Sequence, residues 1–365
     1  MGNKIYTPVG NHSSSRSMGL QKKVIGLFAI FATVVFVTHL SKNGNEIPAN
    51  DGGIEGDTDV MPGRGSGSHD NFHIMPDYEN APTIEMTDII YKSGRHTIPI
   101  VNTEYKTVFF LVAKAASSEW LRFFYRLNNS PIWCESHTHD RMHEGLDMLS
   151  DFSIEEATEM MTSPEWTRAI FVRNPKPRIL SAFLDKAVQH DKSFVRDKCP
   201  NYERLGGDMQ ECIDRHTDFS FFLQNIVPTM HDNVHWRSIY SRVDEKWWPW
   251  INYVANMEHL DQDAEHFLKS IKSSVDGVTA WDRIGKTGWG ENERDCDHLG
   301  GSAFLQKKDE RHHTDARTKL RNYYTPELEK SVEVHFADDY NNPYFQFSDL
   351  KLFEVEDENG DAEDE

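Results

Sequence analysis

Two short segments bring together the residue types that hold phosphate. In the first, the apolar run Phe109-Phe110-Leu111-Val112-Ala113 passes into Lys114-Ala115-Ala116-Ser117-Ser118-Glu119-Trp120. In the second, Ala169-Ile170-Phe171-Val172 ends at Arg173, followed by Asn174-Pro175-Lys176-Pro177-Arg178-Ile179-Leu180-Ser181. Lysine supplies a mobile point charge, arginine a planar fork of donors, and serine one hydroxyl donor more. Where a strand stops and a helix starts, such groups add to backbone N–H donors and a helix dipole that already favour an anion. The small side chains of Ala115, Ala116, Ser117 and Ser118 let an anion approach the backbone. Arg173 with Ser181 suits a terminal phosphate. Two such sites on neighbouring strands suit a nucleotide with phosphates at both ends. The first loop lacks the Gly-x-x-x-x-Gly-Lys-Ser/Thr spacing of a Walker A loop, which disfavours a Mg-dependent NTPase or nucleotide kinase.

The elements that must position these loops are legible in outline. Residues 108–113 form a strand apolar on both faces, as in a parallel sheet covered by helices. Residues 118–127 form a helix with Trp120, Phe124 and Leu127 on one side. Ser153 and Glu156 make a capping box for a helix running to about Met161. Residues 169–172 are a second strand, followed by a helix over 178–188 with Pro177 near its first turn. Asp218 caps a helix that buries Phe219, Phe222, Leu223 and Ile226. Residues 251–256 are a third strand, and Asp261 opens a helix carrying Ala264, Phe267, Leu268 and Ile271. Thr325-Pro326 starts a last helix through about Ala337. Strands alternating with helices imply an α/β class with a mainly parallel central sheet flanked by helices.

The 365 residues carry a formal net charge of −20, with an acidic block at the C-terminus. That balance argues against general nucleic-acid binding and leaves room for a local basic pocket. Residues 24–40 are a mostly apolar run, just long enough to span a thin bilayer. Lys4, Arg16, Lys22 and Lys23 precede it and Lys42 follows, which predicts a cytosolic N-terminus. The expected organisation is a cytosolic tail over 1–23, a signal anchor over 24–40, a flexible Gly/Asp/Ser-rich stem over 41–95, a folded domain over 96–350 and an acidic tail over 351–365. Of the four cysteines, Cys134, Cys199, Cys212 and Cys296, none forms a C-x-x-C pair. Two disulfides with three connectivities, or free thiols, fit the count, and Cys199 with Cys212 is the nearest pair in sequence. Asn128-Asn129-Ser130 is a glycosylation sequon on the lumenal side, whereas Asn11-His12-Ser13 falls on the cytosolic side.

The paired loops resemble the nucleotide-binding motifs of membrane-bound Golgi carbohydrate sulfotransferases, which use 3′-phosphoadenosine 5′-phosphosulfate (PAPS). Lys114-Ala115-Ala116-Ser117-Ser118-Glu119-Trp120 resembles the family's 5′-phosphosulfate loop. Phe171-Val172-Arg173-Asn174-Pro175 through Arg178, Ser181-Ala182-Phe183 and Asp185-Lys186 resembles its 3′-phosphate motif. His235-Trp236-Arg237, the stretch Asn252 to Leu260 with Asp263, and Tyr324-Thr325-Pro326-Glu327-Leu328 through Asp338-Asp339-Tyr340 match further family stretches in order. The resemblance spans about residues 105–347. Ala113 stands where the family usually has proline, Ser117 where cysteine is frequent, and Ala116 where glycine is usual. Alanine is comfortable at that position only with a negative φ.

The resemblance implies a P-loop-like sulfotransferase fold and a type II Golgi enzyme with a lumenal domain, PAPS as sulfuryl donor, no metal, and a glycan or proteoglycan acceptor. In-line sulfuryl transfer needs a cation at the leaving oxygen, which Lys114 supplies. It also needs a base for the acceptor hydroxyl, for which His137, His139, His143 and Glu119 are candidates. His235 is read as a packing residue beside Trp236. Arg122, Arg126 and Lys186 are candidate acceptor-site cations. The alternative is a non-catalytic, membrane-tethered glycan-binding protein that kept the fold. Loss of Lys114 or Arg173 would favour that reading, and both are present.

Overall fold

The computed structural model describes residues 76–92, 98–134, 139, 142, 144–286, 314–347 and 350–353. The apolar run 24–40, most of the stem, His137, His143, Cys296, His312, His313 and the acidic residues 354–365 lie outside the described residues. Among the described residues no helix is long and apolar enough to cross a membrane.

The chain opens with β1 (Ile100–Asn102), β2 (Thr107–Phe110), α1 (Ser117–Leu127), β3 (Asp147–Met148), α2 (Ile154–Thr162) and β4 (Thr167–Val172). Next come α3 (Pro175–Phe183), continued by a π-helical stretch Leu184–Gln189, then α4 (Asp191–Asp197), α5 (Cys199–Arg204) and α6 (Met209–Arg215). α7 (Phe219–Phe221), a second π stretch Phe222–Ile226 and α8 (Val227–Thr229) run on as one helical segment. β5 (Tyr253–Asn256), α9 (Leu260–Ser270), α10 (Ala316–Tyr323), α11 (Pro326–His335) and α12 (Ala337–Tyr340) complete the described elements.

The sheet order is β3-β1-β2-β4-β5. β2, β4 and β5 are mutually parallel, whereas β1 and β3 add on antiparallel. The sheet is therefore mixed, and the expected parallel character holds for the strands that carry the loops. The antiparallel pair escaped sequence reading because two- and three-residue strands show no periodicity, and β1 joins β2 through a tight turn with Lys106 at a φ of 45°.

One face of the sheet is an aromatic layer. Phe109 of β2 and Phe171 of β4 meet Trp120 of α1 at ring-centroid distances of 4.7 and 4.5 Å, with Phe267 of α9 closing the cluster. Fully burying one such ring is worth roughly 1.5–3 kcal/mol, so this layer seats α1, and the loop before it, on the strand ends. A second core lies under α3, where Ile179, Leu180 and Phe183 pack with Phe222, Trp236, Leu320, Leu328 and Val332. The Cys199–Cys212 disulfide ties α5 to α6.

Local signals mostly landed where expected. Ser153 and Glu156 form the capping box, with bonds of 3.2 and 2.9 Å. Asp218 accepts from Ser220 and Phe221 N–H groups, and Thr325 accepts from Leu328 N–H. The helix predicted over 178–188 starts earlier, at Pro175. There Asn174 caps it by accepting from Lys176 N–H at 3.0 Å. Residues 76–92, expected in the stem, bring Ile84 and Ile90 into the sheet-side core, and Trp247 Nε1 donates to Asp88 at 3.0 Å. That segment is too short and aperiodic to announce its packing. In the sequon, Asn102 Nδ2 donates to Asn128 Oδ1 at 2.7 Å and Ser130 is buried, so Asn128 ties β1 to the end of α1.

Candidate functional site

Both phosphate-type loops leave the C-terminal ends of adjacent parallel strands, β2 and β4. That is where open α/β sheets place their ligand crevices. The first loop turns sharply. Lys114 and Ala116 have φ values of 67° and 58°, and Ala115 N–H closes back on Val112 O at 3.1 Å. α1 then begins without a side-chain cap. An uncapped first turn directs N–H groups out of the helix, and alternating left-handed residues form a concave nest that suits an anion.

Ala116 has the positive φ at which an alanine is not comfortable. A residue with a Cβ bears about 1–2 kcal/mol in the left-handed region. Glycine would remove that strain and restore about 0.5–1 kcal/mol of chain-entropy cost. Ala116→Gly is therefore expected to stabilise the protein by about 0.5 kcal/mol. The gain should read as a higher denaturation midpoint at unchanged slope; a lower midpoint would show that the loop does not hold this turn in solution.

Lys114 pairs with Asp185, a carboxylate on the π-helical continuation of α3, and their side chains are only 12% and 1% exposed. Asp185 also meets Lys186 at 3.0 Å and His190 Nδ1 at 3.3 Å. Burial pushes the Lys114 ammonium down to about 8. Asp185 opposes that shift, while Lys186 and Arg173 add to it. At neutral pH Lys114 is still mostly charged.

Arg173 joins the two loops, because its Nη1 donates to Lys114 O at 2.9 Å. Burial pushes Arg173 down to about 10, with Glu258 opposing and Arg317 reinforcing, so it stays cationic. Glu258 also accepts from Asn174 N–H at 3.1 Å, which fixes the turn after β4. Ser181 lies on α3 and accepts from Thr314 Oγ1 at 3.1 Å. Thr314 precedes α10, whose Arg317 is a charged neighbour of Arg173. Thr314 is thus bonded to Ser181 and stands three positions before Arg317, the charged neighbour of Arg173.

Among the base candidates, His139 Nε2 and Ser118 Oγ lie 2.9 Å apart, so the imidazole borders the first loop. Glu119 faces Arg122, 3.2 Å away. His137 lies outside the described residues. Arg122 is buried, and Arg126 sits over the Trp133 ring at 4.9 Å. Arg178 is a brace. Its Nε donates to Ala113 O at 3.2 Å and its Nη2 to Arg237 O at 2.7 Å.

Sequence reasoning missed Asp185 as a partner of Lys114, and also Thr314 and Arg317. It read His235 as packing. Burial, reinforced by Lys186 and Lys114, holds that imidazole well below its ordinary range, hence neutral, in the electrostatic reach of Lys114. Its Nδ1, and Nε and Nη2 of Arg237, are buried with no hydrogen-bond partner among the described residues. Buried polar atoms left unmatched are costly and call for a ligand or water. The resemblance to His-Trp-Arg was the only signal that marked this stretch.

The chain is 27% identical to carbohydrate sulfotransferase 9 of Homo sapiens over 191 residues, 48% of this chain and 42% of that protein. It is 26% identical to carbohydrate sulfotransferase 10 of Danio rerio over 200 residues, 50% of this chain and 53% of that one. With carbohydrate sulfotransferase 8 of Mus musculus it shares 22% identity over 272 residues, 71% of this chain and 58% of that one. The chain spans about half the length of the curated relatives it matches. No solved structure gives a significant match. The sulfotransferase family matches residues 99–341, from just before β1 to just past α12, and the chain belongs to that family.

Proposed function

We propose that this chain transfers a sulfuryl group from PAPS to a hydroxyl of a glycan. The observation that carries this reading is the junction of the two loops, where the Arg173 guanidinium bonds the backbone of Lys114 and sets both cations in one region. The residues fit the donor. Lys114, the N–H groups of the uncapped α1 turn, Ser117 and Ser118 would hold the phosphosulfate, with Ala115 and Ala116 leaving the backbone open to it. Arg173 and Ser181 would hold the 3′-phosphate that distinguishes PAPS from ATP. The unmatched donors of Arg237 are consistent with an anionic ligand nearby.

In this mechanism the acceptor oxygen attacks sulfur in line. The bond from sulfur to the oxygen of the 5′-phosphate breaks, and that oxygen leaves with the electron pair and a negative charge. The products are a sulfate ester and 3′-phosphoadenosine 5′-phosphate. The acceptor proton goes to a base, for which His139, beside Ser118 Oγ, and Glu119, on the first turn of α1, are the described candidates. Lys114 steadies the charge on the leaving oxygen. Positioning and preorganised charge supply most of the rate, as in phosphoryl transfer.

The same reading makes the chain a type II Golgi membrane protein. Its anchor would be residues 24–40, with the lysines at 22 and 23 on the cytosolic side and the catalytic domain lumenal. The test is transfer of labelled sulfate from PAPS by the purified full-length chain to a panel of glycans. Labelled product with at least one acceptor is expected. Tight glycan binding without transfer, under conditions where PAPS also binds, would replace the enzyme by a glycan-binding protein that kept the fold.

A further inference from the structure

Asp185 is the one carboxylate in direct contact with Lys114 among the described bonds, and it is buried at the focus of several cations. We propose that Asp185 is a positioning residue for sulfuryl transfer: its carboxylate fixes the Lys114 ammonium beside the first loop and keeps that cation available to the donor. The proposal rests on the donor reading above and assigns a role that neither loop carries by itself.

The geometry is specific. α3 ends at Phe183, and the next six residues, Leu184–Gln189, widen into a π-helix. Single π turns inside helices recur at functional sites because they re-aim side chains that a regular helix would turn away. Here the widened turn places consecutive residues, Asp185 and Lys186, in contact with each other. It also brings His190 Nδ1 to Asp185 O at 2.6 Å, a bond that closes the turn from below. The Asp185 side chain is 1% exposed, so its charge is not dissipated in solvent.

Charge decides what this carboxylate does. Lys114 sits among Lys186 and Arg173, and the neighbouring His235 feels Lys114, Lys186 and Lys198. His190 is the remaining titratable group on Asp185. Burial and the surrounding cations all favour loss of the Lys114 proton, and Asp185 is what opposes them. A neutral Lys114 cannot stabilise a departing oxyanion. Because the Lys114 value is about 8, donor affinity should be full below that pH and decline as pH rises through it. Removing the Asp185 charge must move that decline to lower pH. It also removes one negative charge from beside an anionic donor, so affinity on the acid side should hold or improve.

The experiment measures PAPS affinity of the full-length chain by calorimetry from pH 6 to 9.5, for the wild type, Asp185→Asn, Asp185→Glu and the double variant Lys114→Arg/Asp185→Asn. The wild type should show an alkaline limb near pH 8. Asp185→Asn should shift the limb down by a pH unit or more while binding at pH 6 is retained. Asp185→Glu should restore the wild-type limb. The double variant should show no limb in this range, since arginine stays charged. If Asp185→Asn binds PAPS with an unmoved limb, or loses affinity equally at every pH while Asp185→Glu does the same, Asp185 is a structural residue only and the proposal fails. A wild type that does not bind PAPS at any pH would instead overturn the donor reading itself.

Discussion

Replacing Lys114 with alanine is expected to lower kcat for sulfuryl transfer by about 10²–10³-fold, the usual consequence of removing one preorganised donor from a developing oxyanion. The effect should fall on kcat more than on KM. The phosphosulfate is already anionic in the ground state, so donor affinity should also fall, as for the wild type above about pH 8. The leaving oxygen carries its full charge only in the transition state, so kcat should fall further. Folding should survive. Asp185 keeps Lys186 at 3.0 Å, so the truncation does not strand a buried carboxylate. The measurement is steady-state kinetics with labelled PAPS beside a thermal melt of the same preparation. Unchanged turnover by a folded Lys114→Ala protein would remove this lysine from the chemistry, and with it the proposed polarity of the donor.

Arg173→Ala should act on recognition. Charge-assisted hydrogen bonds contribute about 1.5–3 kcal/mol, which corresponds to roughly a 10- to 150-fold loss of donor affinity. The sharper readout is discrimination. Wild-type protein should prefer PAPS over adenosine 5′-phosphosulfate, which lacks the 3′-phosphate, and Arg173→Ala should lose most of that preference. A secondary fall in kcat is also expected, because Arg173 Nη1 supports the Lys114 carbonyl at 2.9 Å. Competitive binding of the two nucleotides measures the ratio directly. Should the variant discriminate as well as the wild type, the 3′-phosphate belongs elsewhere in the domain. The next residues to examine would be Arg237, with its unmatched Nε and Nη2, and Arg317 on α10.

Much of the scaffold was readable because its signals are local. The capping residues Ser153, Asp218 and Thr325 act within three residues of themselves, and each caps the helix expected of it. The strands behind the loops announced themselves as continuous apolar runs, as strands covered on both faces do. What escaped was short or conformational. β1 and β3 are too brief to show a period, and the π-helical turn at Leu184–Gln189 has no compositional signature. The backbone of Ala116 is a third case. Its residue type argues for a negative φ, yet the sharp turn needed to bring α1 onto the aromatic layer imposes 58°. Tertiary packing overrode local preference there.

For this chain, the linear order of residues determined which cationic and hydroxyl groups stand at strand ends. A strand, its terminal cation and the following helix start are contiguous, and contiguity is visible in a sequence. Only the tertiary structure decided the charge state and company of those groups. The Lys114–Asp185 pair spans 71 positions and the Thr314–Ser181 bond spans 133, and His235 arrives beside the same cations from a third segment. Burial and Coulomb interaction depend on distance through space. Nothing in the spacing of residues along the chain encodes them until the sheet and its helices have brought those segments together.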